Sequence, residues 1–278
     1  MSANSSAASV HFRGIGRTFA GARAEDARPV IRDIDLAVAP GEIIAILGPS
    51  GCGKSTLLRI LGGLDVASTG TLLLDDTAIS GINARTAIGF QEPRLLPWRT
   101  VRANVALGLP RGTPRAEGAA RVNRLLSLVG LADFADHRPR EISGGMAQRA
   151  SLARALARNP GVLALDEPFG ALDALTRLNM QDLLLDIHGA EPATILLVTH
   201  DVDEALQLAD RVILLGHETG TAGAVITQEI TVPGARPRDR GSAELAELRG
   251  RLLAGLGVSR HGQNRGDEAL PSIPHFPY

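Results

Sequence analysis

Apolar positions along the chain follow two alternating periodicities. Continuous apolar runs at Ile43–Leu47, 162–165, Thr194–Val198 and 212–215 have the length and character of strands covered on both faces. Between them, residues 57–61, 174–188 and 201–209 carry apolar positions at helical spacing. Strands alternating with helices imply an α/β fold with a parallel, wound sheet and right-handed crossovers. The start of the chain differs. Residues 10–38 read as two strands around a polar loop, the second alternating at Ile31, Ile34, Leu36 and Val38. Thr71-Leu72-Leu73-Leu74 before Asp75-Asp76 reads as a strand and turn, and Ala87-Ile88-Gly89-Phe90 as a short strand ending at Gln91.

Over residues 101–158 the pattern becomes helical, with Val122, Leu125, Leu126, Leu128 and Val129 in one stretch and Leu152, Ala155 and Leu156 in another. Pro110, Pro114 and Pro139 punctuate it, so a mostly helical insertion in the α/β core is expected. A helix is predicted from Ala147 onward, just after Ser143-Gly144-Gly145. Ser242 is placed to cap a short helix with Leu245, Leu248, Leu252 and Leu256 on one face. The expected organisation is one domain over 10–232 and an extension over 233–258, with disorder in 1–9 and 259–278.

Composition narrows the function. The formal net charge of the 278 residues is −1, so no global field draws the protein to nucleic acid or an acidic membrane. No apolar run approaches the ~20 residues needed to span a bilayer. The N-terminus has neither the basic start nor the apolar stretch of a signal peptide, which gives a cytosolic expectation. The single cysteine, Cys52, excludes an internal disulfide framework, and no Cys/His cluster suits zinc.

Between the first apolar run and the first helical pattern lies Gly48-Pro49-Ser50-Gly51-Cys52-Gly53-Lys54-Ser55-Thr56. This is strand, glycine-rich loop and helix in the order G-x-x-x-x-G-K-S. Glycines let successive N–H groups turn inward, and the helix start adds partial positive charge, making a polyphosphate cradle. Lys54 is placed to reach the outer phosphates, and Ser55 to offer a hydroxyl to Mg²⁺. Lys54 is the only lysine in the chain; a compact ammonium suits such a cradle better than a planar guanidinium. The chain is expected to bind a nucleoside triphosphate.

Further candidates lie at strand ends. Asp166 and Glu167 close the run 162–165, where one carboxylate can hold Mg²⁺ and the next can address an attacking water. His200 follows the Thr194–Val198 run and can donate to a γ-phosphate oxygen; Gln91 ends its strand in the same way. Ser143-Gly144-Gly145 before a helix is a second anion cradle. One triphosphate needs one cradle, so the second points to a nucleotide held by another copy. Solvated turns and caps are the plainer alternatives for each of these residues taken singly.

Together, in this order, the Gly48–Thr56 loop, Gln91, Ser143-Gly144-Gly145, Asp166-Glu167, Ala171-Leu172-Asp173 and His200 resemble the ATP-binding subunit of an ABC transporter over residues 10–232. The resemblance implies a P-loop cassette with a RecA-like parallel core, an N-terminal antiparallel β subdomain and a helical signature subdomain. It implies a head-to-tail dimer with each ATP between Lys54 and Ser55 of one copy and Ser143, Gly144, Gly145 and Met146 of the other. Glu167 would be the general base or water-orienting group and His200 the γ-phosphate contact. Gln91 would sense Mg²⁺ and γ-phosphate, with Ser55 and Asp166 on the metal, and Asp173 would communicate across the dimer. Phe19 stands where the family stacks an aromatic on adenine, although a lone aromatic in a strand is commonly core. Met146 departs from the usual signature glutamine, and a thioether cannot replace a carboxamide as a two-way hydrogen-bonding group.

The implied partners are two transmembrane permease subunits and a periplasmic or extracellular solute-binding protein, with the chain peripheral on the cytoplasmic face of the cell membrane. The only tryptophan, in Pro93-Arg94-Leu95-Leu96-Pro97-Trp98, is either core or an anchor for a permease helix. The stretches 95–98 and 170–178 resemble the importer branch for nitrate, taurine and sulfonates. Within it, residues 177–183 and Arg236-Pro237-Arg238 resemble aliphatic sulfonate import subunits; taurine, nitrate or another small organic anion is the alternative. A DNA-repair or translation ATPase would need a coiled coil or tandem cassettes, and a P-loop kinase would not need Ser143-Gly144-Gly145.

Overall fold

Leu47, Asp166 and Val198 finish three strands that end side by side, and the fold is best understood from that edge. In the computed structural model, which describes residues 7–20 and 27–258, β3 (Ile43–Leu47) pairs in parallel with β8 (Thr194–Val198) and with β9 (Arg211–His217). On its other side β8 pairs in parallel with β7 (Val162–Asp166), and β7 with β6 (Thr86–Gly89). The registers bring Ile46 beside Val198, Val198 beside Asp166 and Leu165 beside Gly89, so all four strands stop at one edge.

The sheet continues past β9 with a change of direction. β10 (Ala224–Thr231) runs antiparallel to β9 and meets β2 (Arg28–Val38) through one parallel pair, Ala224 with Ile31. β2, β1 (Val10–Phe19), β4 (Thr69–Leu74) and β5 (Thr77–Ile79) complete an antiparallel half, giving ten strands in the order β5-β4-β1-β2-β10-β9-β3-β8-β7-β6. The parallel core is where the apolar runs placed it. β5 and β10 were not anticipated: β5 is three residues long, and β10 carries Thr227, Gln228 and Glu229 among its apolar positions. Neither makes a continuous apolar run.

Alternation divides the core between two faces. Ile43, Ala45 and Leu47 point into one cluster with α2 (Val101–Ala106), α3 (Arg115–Leu128), α4 (Gly144–Ala157) and α5 (Ala174–Ala190). Ile44 and Ile46 point into the other, formed with α1 (Lys54–Leu61) and the inward positions of β1, β2 and β4. Every residue of β3 and β8 is buried, which is why those strands read as unbroken apolar runs. β2 instead alternates, burying Ile31, Ile34, Leu36 and Val38.

Two boundaries need correction. α4 begins at Gly144 rather than at Ala147, because Ser143 caps it by accepting from the Met146 N–H at 3.3 Å. The expected disorder of 1–9 fails at its end: Ala8 is buried and donates to Gly161 O at 3.1 Å. Residues 1–6 and the tail 259–278 lie outside the described residues. The extension after β10 packs on the core. Arg238, itself buried, donates to the carbonyls of Leu206 and Gln207 in α6 (Val202–Leu208) and of Val232 and Pro233. α7 (Ala243–Gly255), capped by Ser242, then lays Leu245, Leu248 and Leu252 into the first cluster. Among the described residues no helix is long and apolar enough to cross a membrane.

Candidate functional site

The loop 48–53 crosses from β3 to α1 over the edge where the parallel strands stop. Its conformation needs glycine: Gly51 and Gly53 have φ of 81° and 95°, and a Cβ on Gly53 would collide with the Ile31 side chain. Gly53 precedes the first residue of α1, so the loop's N–H groups and the helix start converge. Lys54 lies along the inside of the loop, its Nζ donating to Gly48 O at 2.8 Å and Pro49 O at 2.9 Å. Cys52 is fully buried under the loop with its Sγ 3.9 Å from Lys54 Nζ, and burial pushes its thiol pKa up against the Lys54 charge and hydrogen bond. Cys52 therefore shapes the loop from beneath.

In front of the loop is a cavity of about 380 Å³ lined by Val30, Gly48, Ser50, Gly51, Gly53, Lys54, Ser55, Thr56, Glu167 and His200. Asp166 does not line the cavity but sits directly behind a residue that does: the Ser55 hydroxyl donates to its Oδ1 at 3.0 Å. Burial, with the adjacent Glu167 charge, raises the Asp166 pKa against the Ser55 bond and the charges of Arg59 and Lys54. Glu167 has φ of 45°, a strained backbone for a non-glycine residue, held by its N–H donating to Val198 O at 2.9 Å. Its Oε2 lies 3.3 Å from His200 Nδ1. Gln91 is exposed beyond β6; a methyl group on Gly170 would crowd its amide nitrogen and touch Glu167 Oε2, so the amide lies on the Glu167 side.

Thus the phosphate loop, Glu167 and His200 share one cavity, with Asp166 behind and Gln91 beside it. Phe19, Asp173 and Ser143–Met146 do not line it. Phe19 is 40% exposed with the Arg17 guanidinium 4.3 Å above its ring, so it is not a core residue. Ser143 and Gly144 are exposed at the start of α4, and Gly145 lies close against Thr176 of α5. Met146 is half-buried against the helical core. Asp173 caps α5, accepting from the Thr176 N–H at 3.0 Å, and bonds to Thr176 hold its carboxyl below the usual range.

Ser55 and Asp166 offer a hydroxyl and a carboxylate, hard oxygen donors suited to a magnesium-type cation that also keeps water and phosphate ligands. Among the described residues no group of three or more His, Cys, Asp or Glu could hold a metal by itself.

Trp98 is 69% exposed, which excludes the core alternative. The loop carrying it is anchored from below: buried Asn104 accepts from Leu96 N–H and donates to the carbonyls of Leu96, Arg99 and Thr100. Arg154 donates to the carbonyls of Pro93 and Arg94. Sequence reasoning missed Thr199, Arg177 and Glu204, which lie around the His200 loop. A signal existed for Glu204: its neighbours Val202, Ala205, Leu206 and Leu208 leave α6 almost no polar face.

Comparison with known proteins adds the following. A sequence model of the family described as ABC transporter matches residues 31–170. An aliphatic sulfonates import ATP-binding protein of Xanthomonas axonopodis pv. citri is 50% identical over 231 residues, covering 82% of this chain and 91% of that protein. One from Paracoccus denitrificans is 48% identical over 255 residues, covering 92% and 94%. The fold matches the dimeric, post-hydrolysis structure of an ATP-binding cassette bound to ADP and Pi with a TM-score of 0.68 at 31% identity, covering 81% of this chain and all of that one. A Clostridium perfringens protein that is part of an ABC transporter complex gives 0.69 at 26% identity, covering 79% and 87%.

Proposed function

The chain belongs to the ABC transporter family, and we propose that it is the ATP-hydrolysing subunit of a membrane importer of aliphatic sulfonates. The observation carrying the chemistry is that Lys54, Ser55, Glu167 and His200 line one cavity at the end of the parallel strands. The cradle and Lys54 bind the triphosphate. Glu167 orients and deprotonates the attacking water, and His200, beside it, donates to the γ-phosphate. Phosphoryl transfer depends on positioning and charge, which this arrangement supplies. A Mg²⁺ ion held by Ser55, Asp166 and Gln91 would neutralise phosphate charge. Phe19 stacks on adenine.

The cavity faces open solvent in one copy, and Ser143–Met146 lie outside it. A second copy, head to tail, covers the nucleotide with that segment, and Asp173 reports across the joint. Two permease subunits dock on the exposed Trp98 segment and a solute-binding protein delivers substrate, so the chain works at the cytoplasmic face of the membrane. The sulfonate assignment is supported by relatives about 50% identical over most of both chains. A strain lacking the gene should fail to grow on an alkanesulfonate as sole sulfur source and grow normally on sulfate. Wild-type growth on the sulfonate would overturn that substrate.

A further inference from the structure

Glu204, in the first turn of α6, has no part in the scheme above. It is 4% exposed and its Oε1 has no hydrogen-bond partner. Its surroundings are specific. Asp201 caps α6, Oδ1 accepting from the N–H groups of Asp203 at 2.9 Å and Glu204 at 3.1 Å. Asp201 Oδ2 accepts from Arg177 of α5 at 3.2 Å, and Arg177 also donates to Leu172 O at 3.2 Å. The Thr199 hydroxyl faces the Glu204 carboxyl and accepts from the Asp201 N–H at 3.1 Å. The residue between Thr199 and Asp201 is His200, 3.3 Å from Glu167.

We propose that Glu204 is a positioning residue for ATP hydrolysis, fixing through Thr199 and Asp201 the backbone that holds His200 against Glu167. The inference rests on the ATP-hydrolysing reading and deepens it. Its active form is protonated. Burial, then the Asp201 charge, push the Glu204 carboxyl up to about 8 against Thr199 and Arg177, with Glu167 adding to the rise. Protonated, Glu204 can bond Thr199 as donor or acceptor and leaves Arg177 to Asp201 and Leu172. Ionised, it sets a second negative charge beside Asp201 and competes for Arg177, whose buried Nε also has no partner. The other elements packed on α6 do not intervene: Arg249 of α7 is held by Asp203 at 2.8 Å, and β3 presents only apolar side chains.

The test is steady-state ATP hydrolysis by the full chain and its Glu204→Gln and Glu204→Ala variants across pH 6.5–9.5. Wild-type kcat should fall about tenfold between pH 7 and pH 9. Glu204→Gln, a permanent mimic of the neutral acid, should stay within about threefold of wild type at pH 7 and lose that alkaline fall. Glu204→Ala should lower kcat about tenfold or more at pH 7 with KM for ATP nearly unchanged, show no alkaline fall and meet wild type near pH 9. An alkaline fall retained by Glu204→Gln, or absent from wild type, overturns the proposal, and so does wild-type kcat in Glu204→Ala at pH 7. If the alanine variant does not fold, the glutamine profile decides alone. A wild-type chain that does not hydrolyse ATP overturns the reading beneath it instead.

Discussion

Glu167 combines a left-handed backbone, a bond to β8 and a place on the cavity wall 3.3 Å from His200, and the proposed reaction makes its carboxylate the group that orients the attacking water. Glu167→Gln keeps the shape and removes the proposed base. It should bind ATP normally and hydrolyse it about 100-fold or more slowly, measured by equilibrium binding against single-turnover hydrolysis. Glu204 makes a different residue-scale statement, about stability. Its folded-state pKa of about 8 stands above the ordinary 4.5, so its contribution is fully present below about 4.5 and is lost as pH rises through about 8. Glu204→Gln should therefore raise the unfolding free energy at pH 8.5, by an amount on the order of a few kcal/mol or less, and change it little at pH 4.5. Calorimetry at the two pH values separates these outcomes.

At the scale of elements, α6 has His200 and its cap at one end and an arginine clamp at the other. The last carbonyls of a helix lack intrahelical partners, and in α6 those of Leu206 and Gln207 accept from Arg238. Arg238→Ala leaves buried carbonyls unpaired and should destabilise the fold by at least about 1–3 kcal/mol, read as a lower denaturation midpoint. Arg238→Lys should recover only part of the loss, since one ammonium cannot match the spread of a guanidinium over four carbonyls. The loop 93–100 is the second element with a clear division of labour. Asn104 and Arg154 fix its backbone from inside, leaving Trp98 outside with no internal task. Trp98→Ala should leave the melting temperature and basal hydrolysis unchanged while lowering permease-stimulated hydrolysis and transport several-fold. Unchanged transport would remove Trp98 from the docking surface.

For the whole molecule, one continuous sheet joins two strand regimes. Its parallel half delivers β6, β7 and β8 to the edge where the phosphate loop crosses, and the antiparallel half supports the loop through Ile31 and Val30 beneath Gly53. The parallel half was legible because strands covered on both faces must be apolar throughout, as β3 and β8 are. β10 was illegible for the converse reason: polar Thr227, Gln228 and Glu229 interrupt its apolar residues, and although β9 precedes it directly, its other partner β2 lies far away in the chain. The site divides in the same way. Gly48–Thr56 was readable because a phosphate cradle is local chemistry within nine residues. The cluster of Arg177, Thr199, Asp201 and Glu204 was not, because α5 and α6 meet only in the folded chain.

By itself the sequence determined the α/β order and placed a glycine-rich loop between strand and helix with an acidic pair and a histidine at strand ends, since each depends on residue type and short spacing. It also carried the family, through motifs that keep their order over some two hundred residues. Only the tertiary structure decided which of these residues face one cavity, that Cys52 is buried behind its lining, and that Trp98 is outside the core. The physical reason is that burial and side-chain direction are collective. The apolar neighbours of Glu204 hint at its burial, but only the enclosure of α6 by β3, α5 and α7 keeps water from its carboxylate.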